Sequence, residues 1–342
     1  MKFFASLTIN RCHIDKLCSI SERVSGRTFP FSHVLVSPLV LRRGILPIIY
    51  KHRRHCTVMF DSGGFHIQQR LLNIEDASIR LATFYKSHGW ADLYVIPDVP
   101  LTCRDSARQI RRKLRLTAEA GSKFAEGVPR GIRSKLLPVV HGTTSAHIQR
   151  SVNAALKLNP RRLGFGSFGT SGARSGVNCL TNKSLCTLQV FTRLCARHRV
   201  RSHAFGVGGP ASMCVLRYVP IDSFDTAGWV RAAAYGHIYL PFVGAVNVTG
   251  KSRSHRYMSK SEYKRTAAST LHRCEYCSDH RLLQDSWYYR ALHNYTVLAE
   301  LNRRLTTMHS SETITHLMRF NPRYASYLRQ VVAVNSQESS QP

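Results

Sequence analysis

Short apolar runs alternate along this chain with longer amphipathic stretches. Thr57-Val58-Met59-Phe60 is apolar or β-branched at every position, the pattern of an interior strand covered on both faces. It runs into Asp61-Ser62-Gly63-Gly64-Phe65, a carboxylate followed by two glycines that free the backbone or let a flat ligand lie against it. The pattern recurs. Residues 1–9 read as a first strand, because their apolar part is short and no small-residue cleavage site follows. Residues 34–41 read as another, interrupted by Pro38. Residues 67–87 form a helix with apolar positions at Leu71, Leu72, Ile74, Ile79, Leu81, Phe84 and Tyr85. A strand over 91–97 ends on Asp98, followed by a strongly basic helix over 104–120 and a loop over 121–135. Further strands end on His141-Gly142, on the glycines of 164–169, on Gly206 and Gly208, and on Asp225. Helices over 145–158 and 183–198 separate them, and Pro210 suits the first turn of another.

Short strands alternating with helices, with polar residues at strand C-terminal ends, predict a parallel sheet. This many units favour an α/β fold of the TIM (β/α)8-barrel type. A Rossmann sheet is the runner-up, but no Gly-x-Gly-x-x-Gly with an acidic partner supports it. In a barrel, Asp61, Asp98, His141, Gly166, Gly208 and Asp225 converge on one pocket. The expected organisation is a barrel over 1–250, a metal-binding appendage over 251–310, and a C-terminal helix and tail over 311–342 that frays after 337.

Charge sharpens this picture. The 342 residues carry 49 Lys plus Arg against 19 Asp plus Glu, a net +30, which calls for a polyanionic partner such as nucleic acid. The clusters at 51–55, 108–115 and 161–162, with Lys251, Arg253 and Arg256, are candidate phosphate contacts, and Arg174 lies in the Gly/Ser-rich loop. No apolar run reaches the roughly 18–20 residues a membrane span needs, so no membrane partner is expected. Ten scattered cysteines with one tight pair fit a reducing cytoplasm and a metal site better than a disulfide framework. The pair is Cys274-x-x-Cys277. With His272 and His293 it makes a tetrahedral zinc set, three ligands on a tight loop and the fourth on a helix starting near Trp287. His280 is an alternative to His272. Four protein ligands close such a site, so the Zn2+ is structural. Tyr94, Tyr288 and Tyr289 are potential base-stacking residues, though core packing suits each better.

The order of motifs resembles the tRNA-guanine transglycosylase superfamily over roughly residues 57–305. Phe60 to Phe65 is similar to its Asp-Ser-Gly-Gly-Phe motif, and Val140-His141-Gly142 stands where the family has Val-Gln-Gly. The glycines of 164–169 resemble its substrate loop, Phe205-Gly206-Val207-Gly208 its Met-Gly-Val-Gly, and Phe224-Asp225 its Phe-Asp. The zinc loop follows in the same order, with His272 in place of the usual first Cys. After Asp225 the tRNA enzymes carry Pro-Thr-Arg, whereas Thr226-Ala227-Gly228-Trp229 looks like the DNA-modifying deazapurine branch. The resemblance therefore implies a DNA-guanine transglycosylase that exchanges guanine for a 7-deazaguanine such as 7-cyano-7-deazaguanine. A tRNA enzyme and a non-catalytic zinc protein that binds nucleic acid are the alternatives. It implies Asp225 as the nucleophile, Asp61 as the acid/base, and Asp98 on the Watson–Crick edge of the purine. His141, Gly166 and Ser167 would recognise the exocyclic oxygen or the 7-substituent, with Ser62, Gly63 and Gly208 also at the base. Asp222 is a fallback nucleophile if the strand is irregular. Location in the cytoplasm of a bacterium or virus-infected cell, pairing of two chains through the zinc region, and accessory DNA-modification proteins are further implications.

Overall fold

The computed structural model describes residues 1–40, 44–69, 71–168, 180–250 and 256–339. Gly169, Arg174, Lys251 and Arg253, named above, lie outside the described residues.

Nine parallel strand segments form the central sheet. They are β1 (Lys2–Ser6), β2 (His33–Val36), β3 (Thr57–Phe60), β4 (Leu93–Val95), β5 (Leu136–Leu137), β6 (Val139–Val140), β7 (Arg162–Phe165), β8 (Arg201–Ala204) and β9 (Ser223–Thr226). Their spatial order is β5-β4-β3-β2-β1-β9-β8-β7-β6. The two ends of that row are consecutive in the chain and separated by Pro138 alone. Proline has no N–H to give the ladder, so the pairing breaks there. The carbonyl of Leu137 still accepts from Ile96 N, and that of Pro138 from Gly164 N, so the row bends into a nearly closed barrel.

Strand alternation splits the side chains into two sets. Phe4, Leu35, Met59, Val95, Leu137 and Val139 fill the barrel interior. Their neighbours Phe3, Val34, Val58, Phe60, Tyr94 and Val140 face outward into the larger core under the helices. Both faces are buried, which is why the strands read as apolar runs rather than alternating ones.

Several predicted boundaries shift. The stretch 67–87 contains a short helix, Gly64–Gln68, and a longer one, Ile74–Ser87, capped by Asn73. The basic helix runs over Ala107–Gly127, opened by a Ser106/Gln109 capping box. It takes in residues 121–127, expected as loop, because Gly121, Phe124 and Ala125 continue its buried stripe. Tyr218 to Pro220 form a turn, and β9 starts only at Ser223. The last helix, Pro322–Ser339, extends into the part read as a frayed tail.

After β9 the helix Gly228–Ala234 leads into an antiparallel hairpin, β10 (His237–Leu240) with β11 (Gly244–Asn247). A small apolar cluster joins this hairpin to the helices Lys260–Ser269 and His280–Asp285 through Ile238, Leu240, Val246, Tyr263 and Leu283. The helix Trp287–Arg304 is pinned to the barrel by Asn294. Its Oδ1 accepts from Tyr239 N at 2.6 Å, and its Nδ2 donates to the carbonyl of Trp229 at 2.9 Å. Leu292, Val297, Leu298 and Leu301 of this helix belong to the same core as the strands.

Candidate active site and metal centre

The interior set of each strand, extended by two residues, emerges at the C-terminal mouth. Phe4 leads to Ser6, Leu35 to Ser37, Met59 to Asp61, Val139 to His141, and Ser223 to Asp225. A cavity of about 810 Å³ opens there. Asp61, Ser62, Asp98, His141, Gly166, Gly208 and Asp225 all line it. Asp61 and Asp225 are 164 positions apart in the chain and share this one mouth.

Asp225 is buried and has three polar partners. Ser6 Oγ donates to its Oδ2 at 2.6 Å, Gly206 N donates to its Oδ1 at 2.8 Å, and His203 Nε2 stands 3.2 Å from the same Oδ1. Asp98 is also buried, with Ser62 Oγ donating to Oδ1 and His141 Nε2 lying against Oδ2, each at 2.7 Å. Each Asp98 oxygen keeps one further lone pair for a ligand. Gly64 and Gly166 are required by close approach. A Cβ at Gly64 would meet Asp98 Oδ1 at 2.9 Å, and one at Gly166 would meet His141 Cε1 at 2.5 Å.

Asp61 differs from its neighbours. Its Oδ2 accepts a 3.2 Å bond from Gly63 N, and the backbone of Ser62 also turns toward the carboxyl. Burial raises its carboxyl to about 7, with smaller contributions from the negative charges of Asp225 and Asp98. Beneath it, Tyr85 Oη donates to the carbonyl of Val95 at 2.8 Å and lies 3.3 Å from that of Asp61, tying the two loops together. The mouth therefore holds one carboxylate gripped by donors and one carboxyl poised near neutrality.

Two residues named for the site stand a layer behind it. Ser167 is fully buried; its Oγ accepts from Gly142 N at 2.8 Å and lies 3.4 Å from His141 Nδ1. Gly63 adopts φ +68° and shapes the turn while Ser62 and Gly64 face the cavity. Asp222 is excluded as a substitute nucleophile. It precedes β9, at the opposite strand end, and is exposed, with Oδ2 accepting from Ser202 N at 2.7 Å.

The basic clusters separate in the same way. Arg108, Arg111, Arg112 and Arg115 are exposed on a helix anchored to the mouth loop, where Lys113 Nζ donates to the carbonyl of Pro100 and Thr117 Oγ1 accepts from Val99 N. Lys51 to His55 precede β3, and Arg161 precedes β7, so both sit at the far end of the barrel. In a parallel barrel, residues leading into a strand lie opposite those leaving it, however close they are in sequence. Arg162 points into the barrel and is buried. Tyr94 is a core residue with its Oη donating to the carbonyl of His88. Tyr288 stacks on Trp287, and Tyr289 Oη accepts from Arg23. Two tyrosines line the cavity, buried Tyr239 and Tyr235, the latter 66% exposed beside Arg231, and the sequence reading passed over both. It also gave no role to Ser6 or His203; strand parity with Phe4 and Phe205 is the signal that identifies them.

His272, Cys274, Cys277 and His293 bring one ligand atom each to within 4.8 Å of the others, so the cluster can hold a metal ion. Cys274 Sγ and His293 Nδ1 are 3.4 Å apart, and Cys277 Sγ and His272 Nε2 are 3.9 Å apart. Bonds of about 2.0–2.3 Å to a tetrahedral ion give edges of roughly 3.3–3.8 Å, so little adjustment is needed. The outward nitrogen of His293, Nε2, is 2.9 Å from the carbonyl of Tyr239; that of His272, Nδ1, makes no hydrogen bond but lies 3.4 Å from the Glu300 carboxylate. Such outer partners orient ligating imidazoles. His280 is not part of the cluster; its ring packs against Tyr263. The described cysteines are free thiols. Among the described residues no helix is long and apolar enough to cross a membrane.

No protein-family model and no curated protein matches this chain.

Proposed function

We propose that this protein is a DNA-guanine transglycosylase that replaces guanine by a 7-deazaguanine through a covalent Asp225 ester. The observation that carries the reading is the asymmetry of two carboxyls in one cavity, Asp225 held by three polar partners and Asp61 raised to about 7. In this reading residues 136–140 are one strand broken at Pro138, and the ring is an eight-stranded (β/α)8 barrel. The ion of the His272–His293 cluster is a structural Zn2+, since two thiolates and two imidazoles close its tetrahedron.

Exchange without net hydrolysis needs a group that holds the sugar while the bases swap. Asp225 attacks C1′ of a deoxyguanosine flipped out of its stack, forming a C–O bond as the C1′–N9 bond breaks. The bonding pair leaves with guanine, which takes a proton from Asp61. The incoming base gives its ring proton to Asp61 and attacks C1′, and the ester breaks to restore the Asp225 carboxylate. No oxidant or reductant takes part. Asp98 accepts from the N–H donors on the purine edge, and His141 and Ser62 hold Asp98 in place. The arginines of the helix Ala107–Gly127 contact phosphates, and Tyr235 stacks on a base at the rim.

Labelled 7-deazaguanine supplied with duplex DNA and, separately, with tRNA tests the proposal by nucleoside mass spectrometry. Label appears in DNA. Label confined to tRNA would overturn the choice of nucleic acid, and label in neither would favour a non-catalytic binding protein.

The Asp61 carboxyl sets a pH dependence. It must be protonated to assist departure of guanine, so adduct formation falls as pH rises through about 7. Asp61→Asn removes this limb and slows the step by about 10²–10⁴-fold. Stability carries the same sign. A carboxyl raised above its unfolded value of 3.8 costs the native state progressively as pH rises from there to about 7. Asp61→Asn therefore stabilises the fold at pH 8 and has little effect near pH 4. Single-turnover kinetics and thermal melts across that range check both; an unchanged pH profile in Asp61→Asn would refute the assignment.

A further inference from the structure

A file of buried polar groups runs from Asp225 down the barrel interior. Arg162 on β7 donates from Nη1 to Ser223 Oγ on β9 at 2.9 Å. The same oxygen is 2.9 Å from His203 Nδ1 on β8, and His203 Nε2 is 3.2 Å from Asp225 Oδ1. Ser223 and His203 are fully buried and paired directly across the β8–β9 ladder. Phe4 and Phe205 set their rings edge-on to the imidazole, with centroids 5.7 and 4.5 Å away.

The donors and acceptors in this file have a direction. A guanidinium can only donate, so Ser223 Oγ accepts from Arg162. The single serine proton then goes either to His203 Nδ1 at 2.9 Å or to the carbonyl of Ser202 at 3.3 Å. If it goes to Ser202, His203 must carry its own proton on Nδ1. Its bare Nε2 would then face the Asp225 carboxylate, acceptor against acceptor. If it goes to His203 Nδ1, the ring proton sits on Nε2 and is donated to Asp225. With a neutral ring, only the second arrangement satisfies every group, and it uses the shorter contact.

We propose that Arg162 and Ser223 are positioning residues that lock neutral His203 in its Nε2–H tautomer, and that His203 thereby fixes which oxygen of Asp225 reacts. Oδ1 accepts from both Gly206 N and His203, which fills its two lone pairs. Among the described residues Oδ2 accepts from Ser6 alone and keeps one lone pair free, so Oδ2 is the attacking oxygen. Burial, the largest influence on His203, holds the ring below the usual imidazole range, against the opposing pull of Asp225. For the neutral ring the tautomer assignment stands on geometry; its effect on rate rests on the reading of Asp225 as nucleophile.

Two-bond ¹H–¹⁵N spectra of full-length protein labelled in histidine test the tautomer. The His203 signals are assigned by their loss in His203→Gln. The expected wild-type spectrum has an unprotonated Nδ1 and a protonated Nε2, and both Ser223→Ala and Arg162→Met shift that balance. A proton on Nδ1, a doubly protonated ring, or a ring unchanged in both variants would overturn the proposal. Rates provide the second readout. His203→Gln restores one N–H donor toward Asp225 and keeps adduct formation within about tenfold of wild type, whereas His203→Ala loses about 10–100-fold. Equal losses in the two variants would overturn the positioning role. A wild-type protein that forms no adduct would sink the transglycosylase reading, and the spectra would still decide the tautomer.

Discussion

Asp225→Asn lowers base exchange by about 10⁴–10⁶-fold, the scale on which loss of a covalent nucleophile or its partner is felt. An amide cannot form and release a glycosyl ester, so no protein–DNA adduct accumulates. The substitution leaves the fold nearly untouched. The Asn oxygen takes the place of Oδ1 and still accepts from Gly206 N and His203, while its amide faces Ser6 Oγ. The serine hydroxyl can turn from donor to acceptor. Nucleic-acid binding, which the proposal assigns to arginines outside the cavity, is expected to stay within a few-fold of wild type. Lost exchange with retained binding and melting temperature is the expected combination. Retained exchange in Asp225→Asn would show that another group forms the bond to the sugar.

Loss of the metal ion proposed for the His272–His293 cluster has the second large expected effect, and it falls on stability. Cys277→Ser leaves three ligands around the site, a strong chelator leaves four with no ion, and either uncouples the 272–277 loop from the helix Trp287–Arg304. That helix supplies Asn294, whose amide holds β10 and the helix Gly228–Ala234, which begins three residues after Asp225. Structural zinc contributes about 10 kcal/mol or more in small metal-dependent modules. Here the helix also has apolar contacts with the barrel, so part of its order survives. A loss of several kcal/mol corresponds to about 10 °C in Tm for a chain of this size. Elemental analysis gives one zinc per chain in the wild type and none in Cys277→Ser, and zinc restores the chelated protein. A metal-free chain with an unchanged Tm would rule out the structural role.

The parts of the site legible in the sequence were those that strand chemistry writes locally. Thr57 to Phe60 are apolar because both strand faces are buried, and the polar residue that follows marks the mouth; the same holds for His141. Asp61, Asp98, His141 and Asp225 could be gathered because a parallel barrel sends every strand end to one side. Direction was harder to read than position. Lys51 to His55 stand next to Asp61 in sequence yet at the other end of β3, since a strand of four residues separates them. Arg162 carries a charge and reads as surface, but its parity with Gly164 and its bond to Ser223 turn it inward. Ser6 and His203 carry no motif of their own; only the register of β1 and β8 beside β9 brings them to Asp225. Residues 121–127 were hidden by the two glycines at 121 and 127, although Gly121 sits on the buried stripe of the helix, where a Cβ would meet Ile96 at an ordinary 3.6 Å.

The most direct test is to map the covalent bond itself. Protein incubated with a guanine-containing duplex and no incoming base is denatured, digested and sequenced by mass spectrometry. The expected product is a peptide carrying deoxyribose-linked oligonucleotide on Asp225, with guanine released in equal amount. An adduct on Asp61 or any other side chain, or guanine released with no adduct at all, would contradict the assignment of Asp225 as the group that holds the sugar.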